Sequence, residues 1–184
     1  MALPRSLLAA SVTLALLIQA PKAEAQLGSL ISLGAAAGVS LPRSDFDTRA
    51  KSGYNAMITA GLHAPLIPIS LRAEGMLNEF DYDEGTGAGA LARQGGKSAR
   101  IWGFTANALV TTSAFFGPYA IGGIGYYREN EKSPLGDLTR TNMGYNLGGG
   151  FRFALTGFSA YAEARYHWVD DGVGMIPISF GISF

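Results

Sequence analysis

Five charged residues stand in stretches otherwise free of charge: Arg72, Glu74, Arg152, Glu163 and Arg165. Arg72 and Glu74 are two positions apart, as are Glu163 and Arg165, and in a strand that spacing puts both members of each pair on one face. Opposed across an interior, such groups form either a salt-bridge gate that exchanges partners or a fixed plug. They must pair, because removing one partner of a buried ion pair costs about 3–5 kcal/mol. The two histidines, His63 and His167, are too few for a closed zinc site, which takes four ligands. No nucleophile–base pair can be placed in the chain, so no catalytic residue is assigned and an enzyme is not expected. Asp81, Asp83 and Gly85 begin like a calcium loop but lack its remaining ligands. The reading is therefore a solvated loop, with ion bridging the weaker alternative and Arg93, Lys97 and Arg100 nearby as phosphate partners. The run Gly85 to Ala90 (GTGAGA) has no strand–helix context and is not a phosphate-binding fingerprint. No cofactor and no metal are expected.

The elements that must position these charges follow from composition and period. The chain has 184 residues, enough for one domain with a sizeable core. Only 15% of residues are charged, 48% are hydrophobic, and there are 25 glycines, a mixture unlike a soluble helical enzyme. The formal charge is zero, which leaves no basic footprint for nucleic acid. Cysteine is absent, so neither disulfides nor thiol chemistry are available.

Residues 1–25 read as a cleavable signal peptide. Arg5 is the positive start, Leu7 to Ile18 the apolar stretch, and Ala23-Glu24-Ala25 the cleavage site, leaving 26–184 as the mature domain. No later stretch approaches the ~18 apolar residues of a membrane helix. An exported chain can still cross a membrane as a closed barrel.

The remainder alternates with a period of two. Ile31, Leu33, Ala35, Ala37, Val39 and Leu41 share one face of a first strand. Tyr54 to Ala64 forms a second and Ile69 to about Phe80 a third. Ala99 to Val110 is a fourth, with Trp102 and Phe104 opposed to Thr105 and Asn107. Pro118 to Tyr127, Asn142 to about Leu155, and Phe158 to Trp168 follow. In the last strand Ile176, Ile178, Phe180, Ile182 and Phe184 face away from Pro177, Ser179, Gly181 and Ser183. These are about eight strands of ~9–12 residues, the length of tilted bilayer-spanning strands.

The connections are expected to alternate. Long ones, Arg43 to Gly53, Asp81 to Lys97, Arg128 to Thr141 and Val169 to Gly174, follow the odd strands. Short ones, Pro65 to Pro68, Ser113 to Gly117 and Thr156-Gly157, follow the even strands. Membrane barrels keep short turns on the periplasmic side and long loops outside. Two aromatic belts are expected: Tyr54, Phe80, Trp102, Tyr127, Tyr145, Tyr166 and Trp168 at the outer interface, and Phe115, Phe116, Tyr119, Phe153, Phe158 and Phe184 at the inner one. The apolar face carries the belts and the opposite face carries Ser, Gly, Asn, Thr, Arg and Glu. That is the inverse of a soluble ligand-binding barrel. The fold class is therefore all-β, an eight-stranded antiparallel up-and-down transmembrane β-barrel whose lumen has room only for side chains.

With its signal peptide, alternating strands, YAEARYHW strand and ISFGISF ending, the chain resembles the small outer-membrane β-barrel proteins of the OmpA-transmembrane-domain and OmpX type. The resemblance implies a Gram-negative, porin-like barrel in the bacterial outer membrane, a monomer among lipid and lipopolysaccharide. It also implies that Phe180, Ile182 and Phe184 form the C-terminal signal read by the barrel-insertion machinery. Unlike OmpA itself, the chain carries no peptidoglycan-binding domain after the barrel, so no tether to the cell wall is implied. Lipid A deacylases on this scaffold place a Ser two positions after a His. Here His167 is followed by Trp168 and Val169, and His63 by Ala64 and Pro65; each histidine is expected to cap a polar end of the lumen. The palmitoyltransferases carry a helix before the barrel, for which there is no room here. The expected role is structural, or exerted through extracellular loops that bind a ligand or partner. A narrow gated pore for small polar solutes is the alternative, and a lipid A-modifying enzyme the third.

Overall fold

The computed structural model describes residues 30–47, 50–63, 67–81, 98–112, 116–131 and 138–184. Eight strands are formed: β1 Ile31–Arg43, β2 Gly53–His63, β3 Ile69–Asp81, β4 Ser98–Thr111, β5 Phe116–Glu131, β6 Leu138–Leu155, β7 Phe158–Val169 and β8 Val173–Ser183. Each pairs antiparallel with its sequence neighbour, and β8 returns to β1, with Gly34 opposite Ser183 and Arg43 opposite Gly174. Closure leaves no sheet edge, so backbone donors and acceptors are satisfied between strands without water. This is the expected up-and-down barrel.

Alternation assigns the faces as the period of two requires. Ile58, Phe104, Ile124 and Phe180 project outward and stay largely exposed, Ile58 to 70% and Phe180 to 67%. The inward positions bury Arg72, Glu74, Glu163, Arg165, Asn55, Asn107 and Asn146. No helix among the described residues is long and apolar enough to cross a membrane.

The two ends of the barrel differ. One carries the three even-strand connections and the C-terminus, and is termed the turn end. The other, the loop end, is closed inside by apolar side chains. There Phe46, in the 3-10 turn Ser44–Phe46, meets Phe80 edge-on with ring centroids 5.0 Å apart. Met76, Ile101 and Met175 are buried in the same apolar cluster.

Several expectations need correction. The connection after β7 is a tight turn of 170–172, not a long loop. Asp171 (φ 65°) and Gly172 (φ 76°) both take the left-handed backbone that Asp tolerates and Gly favours. The charged stretch after Tyr127 is mostly ladder, with Arg128 opposite Thr141 and Glu129 opposite Arg140, so only 132–137 connect β5 to β6. Beyond the apolar band both strand faces meet polar surroundings, so the ladder continues after the hydrophobic alternation stops.

The belts are thinner than expected. Tyr54, Trp102, Tyr145 and Trp168 face outward at the loop end, where Tyr145 and Trp168 stack at 5.0 Å. Phe116, Phe153, Phe158 and Phe184 face outward at the turn end. Phe80, Tyr127 and Tyr119, however, point into the lumen and are buried. Their strand parity is that of the interior: Phe80 follows Arg72 and Glu74 at even positions of β3, and Tyr119 and Tyr127 flank buried Ile121 at odd positions of β5. Residues 1–25, including Ala23 and Ala25, lie outside the described residues, as do Ala64, Asp83, Gly85, Arg93, Lys97 and Phe115.

Replacing the fully buried Phe46 by Ala should cost about 3–5 kcal/mol, the usual range for a core aromatic. The cost is read from urea unfolding of the refolded protein in lipid vesicles. An unchanged unfolding midpoint would mean that the loop-end packing contributes nothing to stability.

Candidate functional site

The interior is layered along the barrel axis, and its middle layer is a square of alternating charge. β3 presents Arg72 and Glu74, and β7, diametrically opposite in the ring, presents Glu163 and Arg165. Arg72 Nη2 donates to both oxygens of Glu163, at 2.8 Å to Oε1 and 2.6 Å to Oε2. Glu163 Oε1 lies 2.8 Å from Arg165 Nε, and Arg165 Nη1 lies 2.8 Å from Glu74 Oε2. The square closes where Arg72 Nε approaches Glu74 Oε1 at 2.6 Å, an ion-pair contact outside hydrogen-bond alignment. The four side chains are between 0 and 7% exposed.

Neutral groups occupy the remaining acceptor positions. Tyr119 donates its hydroxyl proton to Glu163 Oε2 at 2.6 Å, and Thr105 donates to Glu74 Oε2 at 2.9 Å. Behind Thr105 the amides run in series: Asn107 Nδ2 donates to Thr105 Oγ1 at 2.8 Å and Asn146 Nδ2 donates to Asn107 Oδ1 at 2.9 Å. Buried carboxylates so satisfied are held in one geometry, which a low-dielectric interior demands.

Arg152 is in the lumen but not in the square. It lies toward the turn end with its guanidinium 5.9 Å from the centroid of the Tyr119 ring, and it makes no ion pair or hydrogen bond among the described residues. The sequence groups it with the other four because parity fixes its face but not its reach across the barrel.

Toward the loop end a second polar layer crosses four strands. Ser40 donates to Asn78 Oδ1 at 2.6 Å and Ser179 donates to Asn55 Oδ1 at 2.7 Å. His167 is fully buried in this region, its Nδ1 sharing a hydrogen bond of 2.7 Å with the Tyr127 hydroxyl. It does not cap an end of the lumen. His63 does lie at the turn end, beside a small cavity that also borders Arg72 and Arg152. Neither histidine bonds a serine hydroxyl among the described residues. No group of three or more potential metal ligands occurs among the described residues. Arg100 faces outward at the loop end and pairs with Glu79 at 3.1 Å.

Sequence reasoning missed the aromatic members of this interior, Tyr119 above all. The signal was available in the glycines. A Cβ on inward Gly150 would sit 2.5 Å from the Tyr119 hydroxyl, and one on Gly144 would sit 3.0 Å from Tyr127 Cε2. Each tyrosine fills the space that a glycine on the neighbouring strand leaves.

The fold has clear counterparts. Neisserial surface protein A aligns with a TM-score of 0.65 at 17% identity, over 84% of this chain and 96% of its own. A major outer membrane protein from Thermus thermophilus aligns at 0.58 with 14% identity, over 84% of this chain and 97% of its own. Ail, the attachment invasion locus protein of Yersinia pestis, aligns at 0.51 with 16% identity, over 84% and 97% respectively. At these identities the likeness is one of fold. No curated protein matches the chain significantly. The family model described as the outer membrane protein beta-barrel domain matches residues 7–184, and its span includes all eight strands and the charged square they enclose. The chain belongs to the outer membrane protein β-barrel domain family, whose members reside in the bacterial outer membrane.

Proposed function

We propose that this barrel is plugged by its own side chains and acts through its loop end and its place in the envelope: envelope integrity, adhesion or the binding of a partner. The observation that carries this reading is the square of Arg72, Glu74, Glu163 and Arg165, which spans the lumen from β3 to β7. The apolar packing of Phe46 and Phe80 forms a second barrier nearer the loop end. In this reading residues 1–25 are removed on export, the monomeric mature domain 26–184 is inserted with Phe180, Ile182 and Phe184 as its recognition signal, and the turn end faces the periplasm. The extracellular ligand then binds at the loop end. A structure of Ail contains the heparin analogue sucrose octasulfate, which makes sulfated glycans one ligand class to assay here. The barrel is not read as an enzyme: His167 is buried against Tyr127, and among the described residues no serine hydroxyl bonds it as a nucleophile would.

One feature supports a gated pore as the second reading. Each arginine of the square already contacts both carboxylates, so an exchange of partners needs no long movement. Single-channel recording on the mature chain in planar bilayers separates the two, after the heat-dependent gel shift has confirmed folding. A folded, silent barrel is expected. Discrete reproducible openings altered by Glu163→Gln would turn the plug into a gate.

Glu163→Gln should also destabilise the barrel by about 3–5 kcal/mol in urea, since it leaves two arginines short of a carboxylate. A loss below about 1 kcal/mol, the size of an exposed pair, would mean that water reaches the square. Replacing 82–97 by a short Gly/Ser turn should preserve the gel shift while abolishing retention on the ligand that the intact protein binds. Retention unchanged after every such loop exchange would argue against a loop-end function.

A further inference from the structure

We propose that the 3-10 turn Ser44–Phe46 is a latch on the β7–β8 seam, so that a contact at the loop end which lifts the turn loosens the barrel wall there. This coupling needs only the turn to move and does not depend on which ligand the loops bind.

The seam is the weak line of the wall. Among the described residues the other seven ladders run without a gap. In β7–β8 the pairs Ala164–Ile178 and His167–Met175 are formed, but Arg165–Pro177 and Tyr166–Ile176 between them are not. Pro177 is the cause, because proline has no N–H to give to the neighbouring strand. Within sheets proline belongs at an edge or a bulge. Here it is buried in a closed wall, where a bilayer offers no water to replace the missing donor. Only three pairs, His167–Met175, Trp168–Gly174 and Val169–Val173, separate the gap from the turn of 170–172.

Side chains of the 3-10 turn close what the backbone leaves weak. Ser44 and Tyr166 share a hydrogen bond of 3.0 Å between their hydroxyls. Tyr166 reaches it by crossing β8 at Gly174, where a Cβ would lie 2.8 Å from each of the two hydroxyl oxygens. Gly174 is itself the ladder partner of Trp168 on β7 and of Arg43 on β1. Asp45 lies against the β7–β8 turn, since a Cβ on Gly172 would be 3.1 Å from its Oδ2. Phe46 enters the lumen and packs on Phe80 of β3. Three consecutive residues thus grip the hairpin outside and at its tip, and anchor the turn inside.

The turn is also strained. Ser44 has φ 59°, the left-handed backbone that a residue with a Cβ adopts only at a cost. The Tyr166 bond and the buried Phe46 ring hold it there, so losing either contact favours release. Arg165 stays bound to Glu74 and Glu163 from the lumen side, and the charged square is no part of the latch.

Hydrogen exchange of the refolded mature protein in lipid nanodiscs, read by mass spectrometry, tests the latch. Tyr166→Phe removes only the hydroxyl. The amides of 166–169 and 173–176 should then exchange about tenfold faster, the factor of one ordinary hydrogen bond, with the β3–β4 ladder unchanged. Ser44→Ala should give the same rise, and the double variant no more than either alone. Pro177→Ala restores a donor and should slow exchange in the same segments. Unchanged exchange in Tyr166→Phe, or an equal rise in every ladder, would overturn the latch. Unchanged exchange in Pro177→Ala would overturn the weak seam beneath it. Should that variant fail to fold, Tyr166→Phe decides alone.

Discussion

The structure depends on a crossbar of charge. β3 and β7 share no ladder; each pairs only with its own neighbours, and they face one another across the lumen. The square of Arg72, Glu74, Glu163 and Arg165 has four edges of 2.6–2.8 Å, and two of them, Arg72–Glu163 and Arg165–Glu74, join the strands. A buried ion pair is a poor source of net stability, because desolvation offsets most of the attraction. What it supplies here is specificity. Slipping either strand by one residue would turn its charges out to lipid, and slipping by two would set like charges together. The crossbar thus fixes the register of two strands that no backbone hydrogen bond connects.

Such a crossbar needs a wall that makes room for it. An eight-stranded ring encloses space only for side chains, and two arginines, two glutamates and several tyrosines exceed what uniform medium-sized residues would allow. The glycines resolve this. Gly148, Gly150 and Gly144 lie on the inward face of β6, and a Cβ on any of them would collide with Arg165, Tyr119 or Tyr127. The tyrosines in turn cover the bare backbone and carry hydroxyls to the polar groups of the interior, as Tyr119 does to Glu163 and Tyr127 to His167. Volume and hydrogen bonding are settled by the same residues.

How far this is legible in the sequence follows from what alternation can and cannot encode. Period two marks which residues share a face, so the eight strands, the outward Ile58 and Phe180, and the inward Arg72, Glu74, Glu163 and Arg165 can be read directly. It does not mark height or reach. Phe80, Tyr119 and Tyr127 stand near strand ends, where aromatic residues at membrane interfaces are so strong an expectation that it overrides their own parity. The Asp-Asp-Gly turn after β7 is readable as a tight turn, but a pattern of alternating loop lengths hides it. The outer part of the β5–β6 hairpin carries no hydrophobic period to read, because both its faces are polar there. Arg152 shows the deeper limit. Its face is legible, but the absence of a partner is a property of three strands at once.

The interior then holds two barriers of unlike chemistry at different heights. The lower is electrostatic, and opening it requires an arginine to exchange one carboxylate for another. The upper is apolar, and opening it requires Phe46 to leave Phe80, which means moving the 3-10 turn that follows β1. Between them lies a polar layer of its own, with the Ser40–Asn78 and Asn55–Ser179 hydrogen bonds. On the proposed reading a solute would have to pass both barriers. In that reading the charged square keeps the wall closed while the loop end is free to vary.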